Sequence, residues 1–116
     1  MKKENENLIV KLSLEFALEI ITYTEKLEDA KKYTIARQLL KSGTSIGANV
    51  TEAQNAESKA DFIHKMKIAA KESGETQYWL TLCELSSSYP DPELLKEKLA
   101  SIINILAKII FTSKTG

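Results

Sequence analysis

Arginine is almost missing from this sequence: of sixteen basic residues only Arg37 carries a guanidinium, and the other fifteen are lysines. Bidentate reading of bases and phosphates favours the arginine fork, so direct sequence-specific readout of nucleic acid has little to work with. Histidine is reduced to His64 and cysteine to Cys83. A catalytic triad would have to be built around His64, and a lone cysteine forms no intrachain disulfide and points to no oxidising compartment. Two prolines and four glycines interrupt 116 residues, and β-branched alternation never persists, which excludes a strand-rich fold. No apolar run is long enough to span a bilayer, and MKKENENL leads into a periodic, charged segment rather than the apolar core of a usual signal peptide. The expectation is a cytoplasmic protein that makes no use of a membrane.

What remains is a chain with room for one domain over residues 1–116 and an ordinary apolar share of 43%. Sixteen acidic groups balance the basic ones, so no whole-molecule field draws it to a polyanion. The balance is uneven along the chain. Residues 1–30 carry four basic and seven acidic groups, net −3, while residues 31–60 carry five and two, net +3. The basic residues there are Lys31, Lys32, Arg37, Lys41 and Lys59.

Apolar spacing predicts an all-α fold of four helices. The first covers about 7–27, with Leu8, Leu12, Phe16, Ile20, Tyr23 and Leu27 at steps of three and four. A second, about 33–56, shows Ala36, Leu39, Gly43, Ile46, Val50 and Ala53, and the third, about 58–86, repeats the pattern with Phe62, Met66, Ala69, Ser73, Thr76, Leu80 and Cys83. This heptad spacing is the seam of helices packed nearly antiparallel, which predicts an up-down four-helix bundle. SSSYPDP then breaks the chain, and Asp91 can cap the last helix, which covers about 92–112 and is expected to bury Leu95, Leu99, Ile102, Leu106 and Ile109. The first and fourth helices are apolar over more than one stripe, so the spare surface is expected in part to pair these two helices with each other and in part to meet another copy of the chain.

On the second helix Lys41, Ser42, Ser45, Asn49 and Glu52 fall within about a third of the circumference, beside the apolar seam. Glu72, Glu75 and Trp79 share one side of the third helix. Polar groups so near a core are costly without partners, so this stripe is expected to find them across a helix boundary. Helical di-iron proteins use paired Glu-x-x-His motifs, and a single His64 cannot supply them. SGTSIGANVTEA lacks the Gly-Lys-Ser/Thr ending of a phosphate loop. Gly43, Gly47 and Ala48 read instead as a surface for close helix packing. No catalytic residue, metal, cofactor or small-molecule substrate is assigned, and the chain is not expected to be an enzyme.

RQLLKSGTSIGANVTEA, followed closely by DFIHKMKIAAKESGETQYWL, resembles the four-helix-bundle proteins first noted as products of intervening sequences within bacterial 23S rRNA genes, over about residues 8–112. The family pattern falls on Ser42 to Gly47, Asn49, Glu52, Asp61, Phe62, Lys65, Lys71, Glu72, Glu75 and Tyr78 to Leu80. Lys41 departs from it, since such proteins more often carry arginine there. The resemblance implies an antiparallel bundle that assembles into a homo-oligomeric ring, a pentamer. It also implies kinship with the accessory variability determinant of diversity-generating retroelements, a basic pentamer that binds nucleic acid. The expectation is a self-assembling module that contacts RNA or a ribonucleoprotein through Lys31, Lys32, Arg37, Lys41, Lys59 and Lys65. A protein-binding scaffold with no nucleic-acid role is the alternative.

Overall fold

The computed structural model describes residues 2–115, and the side chains from Glu4 onward. Among the described residues there are four helices and no strand: α1 (Lys2–Asp29), α2 (Tyr33–Ala53), α3 (Lys59–Leu85) and α4 (Glu93–Thr115). Each helix packs against its chain neighbours, α4 also touches α1, and the diagonal pairs make no Cα approach within 8 Å. The circuit encloses one core in a body of 47 × 21 × 18 Å.

Local chemistry sets the helix ends. Beyond α1 the Lys32 amide donates to the Leu27 carbonyl and the Lys31 amide to the Glu28 carbonyl, with Lys31 at φ 65°. This is a Schellman end with lysine in the left-handed position that glycine usually takes. α2 stops at Ala53, three residues before the spacing predicts, and Gln54 to Ala56 bond back into a turn. Ser58 caps α3 by accepting from the Asp61 amide at 3.0 Å, and Asp61 reaches back to the Glu57 amide at 3.2 Å. That closes a capping box with Asp in the usual Glu position, shifted by one residue. Asp91 accepts from the Glu93 amide at 3.0 Å, as SSSYPDP suggested.

The apolar seams of α2, α3 and α4 fall where the spacing puts them, with Phe62 only partly covered. α1 differs. Its buried row is Ile9, Ser13, Phe16, Ile20, Tyr23 and Leu27, so Leu8 stands exposed and Leu12 half-buried in its first turns. The reason is the close approach of α2. A Cβ built on Gly47 would lie 3.2 Å from the Ser13 carbonyl oxygen. The small Ser13 is what fits there, and α1 turns to present it.

Gly43 is tighter still: a Cβ there would meet Ile20 Cγ1 at 2.8 Å and Cγ2 at 2.9 Å, on a side chain with no exposure. Gly74 has nothing within 4 Å. Two glycine-to-alanine changes should therefore have opposite signs. Gly43→Ala should lose about 1–2 kcal/mol, as overpacking outweighs the gain in helix propensity. Gly74→Ala should gain up to about 1 kcal/mol. Urea unfolding of both variants measures this, and equal shifts would exclude close approach as the reason for Gly43.

Candidate functional site

Of the stripe residues, Ser42 and Glu52 of α2 meet α3 across the seam, fewer than their spacing suggested. Ser42 is fully buried and meets Thr76, whose Oγ1 donates to Ser42 Oγ at 3.0 Å. The same Thr76 hydroxyl lies 2.8 Å from the Glu72 carbonyl. One proton serves one acceptor at a time, so the Ser42 proton can complete the pair in the reverse direction. At the other end of the seam Lys65 Nζ sits 3.6 Å from Glu52 and 3.8 Å from Asp61.

Ser45, Asn49 and the Trp79–Glu75 pair make their hydrogen bonds within their own helices, which corrects for them the expectation of partners across a boundary. Ser45 donates to the Lys41 carbonyl at 2.6 Å and Asn49 to the Ser45 carbonyl at 2.8 Å. Trp79 Nε1 donates to Glu75 at 3.2 Å, one turn earlier on α3. The physical reason is reach. Short side chains on a helix find the carbonyl four residues back more readily than a neighbouring helix. Ser45, Asn49, Glu72 and Trp79 are half-buried, and Glu52 and Glu75 are exposed, so water solvates much of what the helices do not. Thr76 is the member that sequence reasoning placed in the seam without a role.

The six candidate nucleic-acid contacts do not form one patch. Lys31 and Lys32 flank the α1–α2 turn, while Lys59 and Lys65 open α3 at the far end of the 21-residue α2, about 30 Å away. Lys32 Nζ rests 5.1 Å from the Tyr89 ring centre, and Lys65 is held by its two carboxylates. Lys31, Arg37, Lys41 and Lys59 are exposed. On the half that holds Lys31 to Lys41 two aromatic rings are also exposed: Tyr33, and Tyr78 set edge-on to Trp79 at 5.2 Å.

His64 is exposed, and among the described residues no three His, Cys, Asp or Glu side chains group as metal ligands. The interior titratable pair is Tyr23 and Cys83. Tyr23 donates to the Pro90 carbonyl at 2.6 Å, tying the loop before α4 to the end of α1. Burial first, then the neighbouring Cys83 thiol and the Asp91 charge, raise the Tyr23 pKa far above its ordinary value. Burial pushes the Cys83 thiol up as well, with the Tyr23 hydroxyl acting the other way. A buried thiol held neutral is a poor nucleophile.

The family model described as "23S rRNA-intervening sequence protein" matches residues 5–110. A solved structure of a protein of unknown function from the S23 ribosomal protein family of Bacteroides thetaiotaomicron is 39% identical to this chain, with a TM-score of 0.86, covering 91% of this chain and 97% of that one. No curated protein matches it.

Two outcomes are expected. Ser42→Ala should cost about 1 kcal/mol, because Thr76 keeps the Glu72 carbonyl as acceptor, whereas Glu72→Ala should shift stability by less than about 0.5 kcal/mol. Denaturant midpoints rank the two. For Tyr23 and Cys83 the folded pKa exceeds the unfolded one, so their contribution is complete below about pH 8 and falls as pH rises through the unfolded values near 8.5 and 10. Stability should therefore decline by up to about 1.4 kcal/mol per pH unit per group above that range. Tyr23→Phe should flatten the alkaline limb, and an unchanged limb would sink the assignment.

Proposed function

We propose, from the premise that this chain belongs to the 23S rRNA-intervening sequence protein family, that it is a non-catalytic, self-assembling four-helix bundle that contacts RNA or a ribonucleoprotein. The antiparallel, up-down course in this reading is supported by paired contacts. Gly43 meets Ile20 where Gly47 meets Ser13, and Ser42 meets Thr76 where Glu52 meets Lys65. In each pair one residue number rises as the other falls.

Assembly into a ring, with the pentamer expected from the resemblance, is supported by apolar side chains that the core leaves uncovered, such as Leu14, Leu18 and Phe111. The absence of catalysis in this reading is supported by the exposed His64 and the buried, neutral Cys83. A cytoplasmic setting belongs to the same proposal. No described helix is long and apolar enough to cross a membrane.

The observation that carries the RNA contact is the company kept by Lys31, Lys32, Arg37 and Lys41. They share one half of the molecule with the exposed Tyr33 and Tyr78 rings. Cations that meet phosphate, interleaved with aromatic faces that stack on unpaired bases, form a platform for single-stranded nucleic acid. Lys59 and Lys65 lie outside this group, and Lys65 already has its counter-ions. The zero net charge favours a second reading, a scaffold that binds protein alone.

Binding to unstructured RNA should be measurable at low salt and weaken with a log–log slope of about −3 if four phosphates are met. Arg37→Ala and Lys41→Ala should each reduce that slope by about 0.7. No binding at low salt, together with a protein partner recovered from cells regardless of nuclease treatment, would replace this reading with the scaffold.

A further inference from the structure

Two faces of the molecule carry apolar surface that nothing in the chain covers. They lie on opposite sides of the core, because α1 and α3 each touch α2 and α4 but not one another. Their charge differs. On the α1–α2 face the exposed Leu14 and Leu18 have both signs around them, with Lys11, Arg37 and Lys41 against Glu25 and Glu28.

The α3–α4 face holds a groove of about 360 Å³ between its two helices. Ile103 lies toward one end and Phe111, 70% exposed, toward the other. Ala70, Ser73 and Ala107 between them are small and keep it concave, and Lys114 is its one charged lining residue.

A second lysine stands across from Lys114. Lys96 of α4 pairs with Glu84 of α3. On the up-down course proposed above, eighteen residues onward from Lys96 and seventeen back from Glu84 bring Lys114 level with Lys67. Both are exposed, and neither is ion-paired among the described residues. Lys71, one turn on from Lys67, adds a further positive charge.

No carboxylate faces these lysines. Asp61, Glu72 and Glu75 fall on the α2 side of α3 by helical spacing, where Asp61 meets Lys65 and Glu75 meets Trp79. Glu84 is spent on Lys96 beyond the Ile103 end. Glu4 and Glu6 belong to α1, which flanks α4 on the side away from α3.

We propose that the α3–α4 groove takes an acidic amphipathic helix of another protein, with its apolar face between Ile103 and Phe111 and its carboxylates at Lys67 and Lys114. The proposal stands apart from the RNA contact and draws only on the up-down course of that reading. Charge complementarity selects the partner, since unpaired cations beside an apolar trough favour carboxylates and repel basic segments. Shape selects a helix. From Ile103 to Lys114 the groove runs about 16 Å, three helical turns, and apolar side chains three and four apart fill such a trough. A lipid surface is flat and would reach Phe111 without entering the concave middle. A second copy of this chain would bring Leu14 and Leu18 with Lys11 and Lys41 beside them, setting lysine against lysine.

The test is a selection followed by charge exchange. A displayed library of random peptides about 16 residues long, three turns with a margin, is selected on the full-length protein and counter-selected on Phe111→Glu. Enriched peptides should carry Asp or Glu beside apolar residues at helical spacing. By fluorescence anisotropy, an enriched peptide should bind Phe111→Ala at least about tenfold more weakly. It should also lose affinity for the Lys67→Glu, Lys114→Glu double variant, and a version with its acids changed to lysine should bind that variant again. Leu18→Glu, on the opposite face, should leave the affinity unchanged, and helical circular dichroism confirms that every variant folds. No enrichment, enriched peptides without acids, or no rescue by exchanged charges overturns the proposal. So does a lower copy number of Phe111→Glu in light scattering, which assigns the face to copies of this chain. Cosedimentation with phosphatidylglycerol vesicles that Phe111→Glu abolishes assigns it to a membrane and overturns the proposal as well.

Discussion

The spacing between α1 and α2 depends on two absent Cβ atoms. At Gly43 the space is occupied by Ile20, and at Gly47 by the backbone of Ser13. Such an approach is worth having only where it is fully packed, because interiors are as dense as organic crystals and a gap forfeits dispersion contacts. The rest of α1 is set by it. The buried row of α1 passes through Ile9 and Ser13. Leu14 and Leu18 consequently turn outward, above a groove floored by small residues. The outward turn of Leu14 and Leu18 is thus a product of the same packing that closes the core.

The α2–α3 boundary is built differently. One buried hydroxyl pair, Ser42 and Thr76, replaces an apolar contact in the interior, and an ion pair joins Lys65 to Glu52 nearer the α2–α3 turn. Exposed pairs of that kind contribute little to stability. The seam is held mainly by Leu39, Ile46, Val50, Met66, Ala69 and Leu80, all fully buried. A polar stripe along such a seam remains open to water, and the residues that carry the family resemblance at Ser45, Asn49 and Trp79 spend their hydrogen bonds inside their own helices. The stripe therefore leaves the outer faces to carry any binding, as their exposed lysines, tyrosines and leucines would.

Helix number, type and most boundaries could be read from the chain, because the period of apolar residues and the Ser58 and Asp91 caps are local signals. The seams of α2 to α4 were legible for the same reason. Leu8 and Leu12 were misplaced because two apolar stripes compete on α1, and nothing local says which faces a neighbour. Of the candidate site, the stripe residues were named but their partners were not. The choice between a carbonyl four residues back and a side chain on the next helix depends on interhelical distance.

The sequence by itself determined four amphipathic helices, a neutral surface with one arginine, and the family, since these reside in composition, periodicity and two contiguous motifs. Tertiary structure decided that the six basic residues separate toward two ends of the molecule and that Gly43 and Gly47 face α1. It also set two uncovered apolar faces on opposite sides. Those outcomes belong to the relative placement of helices, which depends on which surfaces interdigitate and is encoded at no single position in the chain.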